Sequence, residues 1–263
     1  MFSQEITEQY LYHYTTLEIA IEKILYSGQL RLGPFAQTND PRESQDWGIR
    51  SIDGTENDRS FGQLIELINE DRLKRCKVLC LTRDDMEHHR LGFGRRGFAR
   101  ARMWAQYAGN HRGICLIFDA VKLDAIINKT LGCQGKIYKG VVKYTDSIAG
   151  VTEASTFELE AGCKAKLETI VKQHIDQYAN TIFFNKNRDW KDETEYRYVF
   201  YSDDGDYQFI KIDNVLKGLV LGVDFPQAYY PVIEYFEEKY CLEVRCMSWD
   251  HGIPYLRRVE GIL

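Results

Sequence analysis

The sequence predicts an α+β fold built on a split, mainly antiparallel β-sheet flanked by helices. Two observations predict it. Short apolar runs with strand character alternate irregularly with amphipathic helical stretches, separated by loops of varied length. Regular βαβ winding would alternate them evenly. In addition, no G-x-G-x-x-G follows a strand and no Walker A sequence occurs, which argues against Rossmann and P-loop folds. The 263 residues are enough for a sizeable core. No repeat, low-complexity tract or linker divides them, so residues 1–263 read as one domain.

The elements follow in order. LYHYTT is a short β-type run closing at Thr15. Thr15 and Glu18 stand at capping-box spacing, and Leu17, Ile21, Ile24 and Leu25 mark an apolar helical face that Gly28 ends. LRLGPF is a strand. QTNDPRESQ is a loop, because Asn-Asp-Pro cannot continue a helix or a central strand. Residues 50–60 are polar and irregular, and 61–75 are amphipathic and helical. VLCLT (78–82) is a buried strand by its continuous apolar run. Residues 84–100 hold glycines and basic residues and read as an exposed loop. A short helix over 101–109 leads into a buried strand, ICLIF (114–118). A strand near 137–145 and a long helix from about 156 to 180 come next. FFNKNRDWKDETEYRYVFYS is a polar loop running into a strand, and GLVLG is another buried strand. Asp224, with Gln227 at the capping-box position, starts a helix through about 239, and LEVRCMSW is the last strand.

A net charge of −5 sets up no global attraction to nucleic acid or membrane. MFSQEITEQY has neither a basic n-region nor an apolar h-region, and no apolar run reaches the roughly 20 residues of a membrane span. The expected location is the cytoplasm. The seven cysteines include no CxxC and several sit in apolar runs, so they read as free thiols with no metal role.

Four polar clusters stand out. His13, Tyr14 and Thr15 end the first strand, with His13 and Thr15 on one face and Tyr14 on the other. A histidine there suits ribose hydroxyls, or simply the edge of a core. Asn39 and Asp40 open a rigid turn of the kind these side chains make with their own backbone. Trp104 and Tyr107 share a helical face, as core residues or as a stacking wall, and a polar turn through Arg112 follows. Glu193 and Glu195, two apart, fall on one strand face that Arg197 extends. Like charges so close raise the pKa of one partner. Arg112 or Arg197 suits a pyrophosphate, since guanidinium pairs bidentately with phosphate. Arg197 serves equally as an anchor for Glu195.

LYHYTT, ILYSGQLRL, NDPRE, VLCLT, MWAQYAGNHRGICLIFD and W..ETEYR run in that order from Leu11 to about Phe200. Together they resemble the bacterial domain-of-unknown-function family 2971. That family is similar to the ADP-ribosyltransferase superfamily and its DarT-type toxins. The resemblance implies a split sheet with a central cleft that binds NAD as substrate, without metal. It implies catalytic roles for Glu195, Glu193 and His13. It also implies an NAD-binding set of His13, Tyr14, Thr15, Asn39, Asp40, Thr82, Trp104, Tyr107, Arg112 and Arg197. Thr82 stands alone where relatives carry a Ser-Thr-Ser-like element.

The implied activity moves ADP-ribose from NAD to a macromolecule and releases nicotinamide. Arg90, Arg95, Arg96, Arg100 and Arg102, interleaved with Phe93 and Phe98, favour DNA or RNA over protein as acceptor. A solvated basic loop is the plain alternative. The family association suggests a toxin or phage-defence effector with an antitoxin partner. Other readings are an NAD glycohydrolase and a non-catalytic module binding NAD, ADP-ribose or nucleic acid.

Overall fold

The computed structural model describes residues 1–52, 59–86, 92–157, 167–203 and 206–259. The chain opens with β1 (Tyr10–Thr15), a π-helical segment (Ile19–Leu25), β2 (Gln29–Pro34), α1 (Pro41–Ser44), β3 (Arg50–Ser51), α2 (Arg59–Glu70) and β4 (Cys76–Thr82). Its middle holds α3 (Ala101–Tyr107), β5 (Ile114–Asp119), α4 (Ala120–Leu131), β6 (Lys136–Val141), β7 (Lys143–Tyr144), α5 (Ala149–Ala154) and β8 (Thr156–Phe157). There follow α6 (Leu167–Phe183), β9 (Asn185–Lys186), β10 (Glu195–Tyr201), β11 (Gln208–Lys211), β12 (Leu216–Leu221), α7 (Tyr230–Tyr240), β13 (Glu243–Asp250) and β14 (Ile253–Arg257).

Ten of these strands form one open sheet, α+β and mainly antiparallel as the sequence predicts. Its main path is β11-β2-β4-β1-β5-β12-β13-β14, with β10 and then β6 on the other edge of β4. Every ladder in it is antiparallel except β12–β13. The sheet divides at β4. One edge of β4 pairs continuously with β10, from Glu195↔Thr82 to Tyr201↔Cys76. The other edge is shared by two strands: β1 joins at Tyr12↔Thr82, and β2 at Gly33↔Val78 and Pro34↔Lys77.

Apolar alternation explains the layers. Leu79 and Leu81 of β4, Ile114, Leu116 and Phe118 of β5, and Tyr198 and Phe200 of β10 join one large cluster. The π-helical segment, α4 and α7 cover it through Ile24, Ile127 and Phe236. The opposite face carries two clusters. Cys76 and Val78 of β4 and Val199 of β10 pack under Phe61 and Leu64 of α2 and Val171 and Ile175 of α6. Tyr12 and Tyr14 of β1 and Cys115 and Ile117 of β5 pack under Phe98 and Trp104.

Several local expectations are corrected. Thr16, not Thr15, caps the first helical stretch: its Oγ1 accepts the Ile19 amide at 3.4 Å, because Thr15 is held in the β1 ladder opposite Ile114. The Asn-Asp-Pro stretch does not exclude a helix but starts one. Asp40 caps α1 by accepting the Arg42 amide at 2.9 Å, with Pro41 in the first turn, where a missing N–H costs nothing. α7 begins only at Tyr230, after a 3₁₀ turn at Gln227–Tyr229, and Asp224 instead gives its amide to the His111 carbonyl. Thr156–Phe157 is strand rather than the start of the long helix, whose described part begins at Leu167. No helix among the described residues is long and apolar enough to cross a membrane.

Candidate active site

β10 begins with Glu195, whose ladder partner is Thr82, and Thr82 in turn pairs with Tyr12. Directly paired residues face the same way. Glu195 therefore lies on the face that carries the two apolar clusters, near the place where β1 and β2 part. Around it is a buried polar group drawn from six elements. Arg197 donates through Nε to Glu195 Oε1 at 2.5 Å and through Nη2 to Oε2 at 2.9 Å. The same guanidinium donates to Glu43 Oε1 at 2.5 Å and Oε2 at 3.1 Å, and to the Phe183 carbonyl at 2.8 Å. Lys186 Nζ donates to Glu195 Oε2 at 3.0 Å and to Glu193 Oε2 at 2.7 Å. Tyr107 donates its hydroxyl to Glu193 Oε1 at 2.6 Å, and the Glu195 amide donates to the Tyr144 hydroxyl at 2.9 Å. Glu43, Lys186, Glu193, Glu195 and Arg197 are all at most 3% exposed.

The electrostatics separate the two glutamates. Burial raises the Glu195 carboxyl, but Arg197 and then Lys186 outweigh it and hold it at about 2. At Glu193 burial prevails over Lys186, and neighbouring Glu195 adds to it, so its pKa is raised. Glu43 is likewise raised by burial despite Arg197. One carboxylate stays ionised while its neighbour is biased toward its neutral form, an arrangement that divides electrostatic work from proton handling.

The other expected residues scatter. His13 is half-buried and its Nδ1 lies 3.2 Å from the Cys80 carbonyl, where β1 and β4 diverge. Burial lowers its pKa, outweighing the hydrogen bond to the Cys80 carbonyl. By alternation His13 and Thr15 point away from the face of Tyr12 and Glu195. Tyr14 is a core residue. It donates to the Gly97 carbonyl at 2.7 Å and meets Trp104 edge-on at 5.1 Å. Trp104 is fully buried and donates to the Phe98 carbonyl at 2.8 Å, so its ring is no stacking wall. Tyr107, half-buried and also in contact with Asn39, keeps that possibility. Asp40 is buried and structural: besides capping α1 it accepts the Asn187 amide at 3.3 Å. Arg112 is exposed in the turn between α3 and β5. Arg197 is removed from the pyrophosphate role, because all five of its N–H groups already have partners.

The exposed basic loop is also corrected. Arg90 lies outside the described residues. Arg96 is fully buried. It pairs with Asp84 at 3.0 Å and donates to the Ser3 and Glu5 carbonyls and the Tyr12 hydroxyl, each at 2.7 Å. Arg100 is buried beside Asp85 at 3.4 Å, and Arg95 donates to the Asp85 carbonyl. Two aspartates at the end of β4 thus turn these arginines inward. Arg102 sits over Trp190 at 5.2 Å and donates to the Asp189 carbonyl.

Sequence reasoning missed Glu43, Lys186, Tyr144 and Cys80. Glu43 lay inside a highlighted motif, but as a helix residue its side chain reaches Arg197, 154 positions away. Glu195 lines neither of two cavities formed by the described residues. One of about 80 Å³ is bounded by Glu43, Arg42 and Trp47. The other, about 330 Å³, lies on the opposite sheet face against Tyr196 and Tyr198. Among the described residues, no group of three or more His, Cys, Asp or Glu is arranged to hold a metal ion.

No curated protein and no solved structure matches the chain. The Leu11, NDPRE and VLCLT segments fall outside the stretch that matches a family model. Residues 103–198, from α3 into β10 and including Tyr107, Lys186, Glu193, Glu195 and Arg197, match the family described as Protein of unknown function (DUF2971), and on this match the chain's likeness to that family rests.

Proposed function

We propose that the protein is an ADP-ribosyltransferase that cleaves the nicotinamide–ribose bond of NAD and passes ADP-ribose to a macromolecule. The observation that carries this reading is the buried Glu195, held ionised by Arg197 and Lys186 at the seam where the sheet divides. Breaking that bond builds an oxocarbenium-like centre on the ribose. A fixed carboxylate in a low-dielectric surrounding stabilises such a centre without reorganising. The strands bearing His13, Thr82 and Glu195 lie side by side, with Thr82 directly opposite Glu195.

In this reading Glu195 faces the developing positive charge. Glu193, with its raised pKa, exchanges a proton with the attacking group, and the Tyr107 ring borders the nicotinamide. The acceptor class no longer rests on the arginine run, since Arg96 and Arg100 are structural. Nucleic acid, protein and water are outcomes to be separated by experiment, as are a toxin role and an antitoxin partner. The test incubates the protein with NAD labelled on the adenylate phosphate and mixed DNA, RNA and protein. We expect nicotinamide release and label on one acceptor class, both reduced at least about 100-fold in Glu195→Gln. Free ADP-ribose without labelled acceptor would identify a glycohydrolase. No release from the folded wild-type protein would leave a binding module.

A further inference from the structure

We infer that Lys186 is a positioning residue, fixing the Glu195 carboxylate and tying it to Glu193, with Glu43 as an outer brace acting through Arg197. This rests on the reading of Glu195 as the acting carboxylate. The buried group contains three carboxylates, Glu43, Glu193 and Glu195, against two cations, Lys186 and Arg197. One acid is therefore in excess, and the contacts decide which one. Glu195 Oε2 receives both Lys186 at 3.0 Å and Arg197 at 2.9 Å, while its Oε1 receives Arg197 at 2.5 Å. Glu193 has Lys186 at 2.7 Å and otherwise a neutral phenol, Tyr107. The excess falls on Glu193, and Lys186 is the only group that touches both members of the pair among the described contacts.

Lys186 is itself held in place. It lies on β9, which β7 pairs in parallel at Tyr144↔Lys186, and its ammonium sits 5.1 Å from the centre of the Trp190 ring. Removing it would leave Glu195 with Arg197 alone and Glu193 with no cation. Such a change lowers stability, because removing one partner of a buried pair leaves an uncompensated charge, so a second, polar variant stands beside the apolar one. Among the described residues, the charged or titratable groups around Glu195 include Arg197 on its own strand, Lys186 on β9, Glu193 before β10, Glu43 on α1 through Arg197, Cys80 on β4, whose side chain hydrogen-bonds to the Glu195 carboxylate, and Tyr144 on β7.

The test reads Glu195 directly. Protein carrying ¹³C at glutamate side-chain carboxyls is titrated by NMR, with Glu195→Gln assigning the Glu195 resonance. In the wild type this carboxyl is expected to stay ionised to the acid limit of the fold. In Lys186→Met it should titrate at least about one pH unit higher, since an opposite charge at this range is worth about 1–3 units. Lys186→Arg should restore the wild-type titration. If Lys186→Met does not fold, Lys186→Gln is read in the same way. A Glu195 resonance that behaves as in wild type in a folded Lys186→Met or Lys186→Gln protein overturns the inference. Nicotinamide release from NAD, followed against pH, runs beside it, and its acid limb should move up with the NMR titration. Absence of release in the wild type would overturn the enzymatic reading alone, leaving the NMR result to judge Lys186.

Discussion

Replacing Arg197 with Met leaves Glu43 and Glu195 buried against each other without their shared counter-charge. Breaking a buried pair in this way costs about 3–5 kcal/mol, and we expect a loss of that size in denaturant unfolding at pH 7. The deficit should shrink as pH falls. In the variant both carboxyls lose the guanidinium that lowers their pKa values, so the cost of holding them ionised and buried is relieved by protonation and returns as pH rises. A loss below about 1 kcal/mol, or one that does not depend on pH, would show that Arg197 does not hold the cluster. Charge was the least legible property at this scale. Arg96, Arg100 and Arg197 look like surface residues in the sequence, and their burial depends on Asp84, Asp85, Glu43 and Glu195. A composition cannot reveal such partners when they come from distant elements.

Strands were the most legible elements. VLCLT, ICLIF and GLVLG are continuous apolar runs because both faces of β4, β5 and β12 are covered. β14 escaped notice because its alternating exposed and half-buried residues lack that signal. The short helix α1 is hidden in the sequence because a proline signals a break as readily as a first helical turn. Element junctions carry their own constraints. At Gly113, between α3 and β5, an added Cβ would lie 2.2 Å from the Thr15 carbonyl oxygen and 2.9 Å from the Ala108 Cα. Both neighbours are backbone, so neither yields cheaply. Gly113→Ala is expected to lower stability by about 1–3 kcal/mol in thermal unfolding. An unchanged melting temperature would mean that the turn can move away from β1.

Across the whole molecule, β5 is the strand most enclosed. Its residues Ile114 to Phe118 are buried on both faces, and β1 and β12 pair with its two edges. Its amides should exchange only through global unfolding, while those of the edge strand β14, with its exposed residues, exchange through local opening. Equal protection of the two in a hydrogen-exchange experiment would contradict this. The order of strands has a second consequence, in the time domain of synthesis. His13 lies near the start of the chain and Thr82 in its first third, yet the neighbour that supplies Glu195 is β10, ending at Tyr201. A ribosome delivers β1, Glu43 and β4 long before β10, so a nascent chain or a prematurely released fragment holds Glu43 but lacks Glu193, Glu195 and Arg197. The cluster is complete only after most of the chain has left the exit tunnel, so its charges are matched late in synthesis.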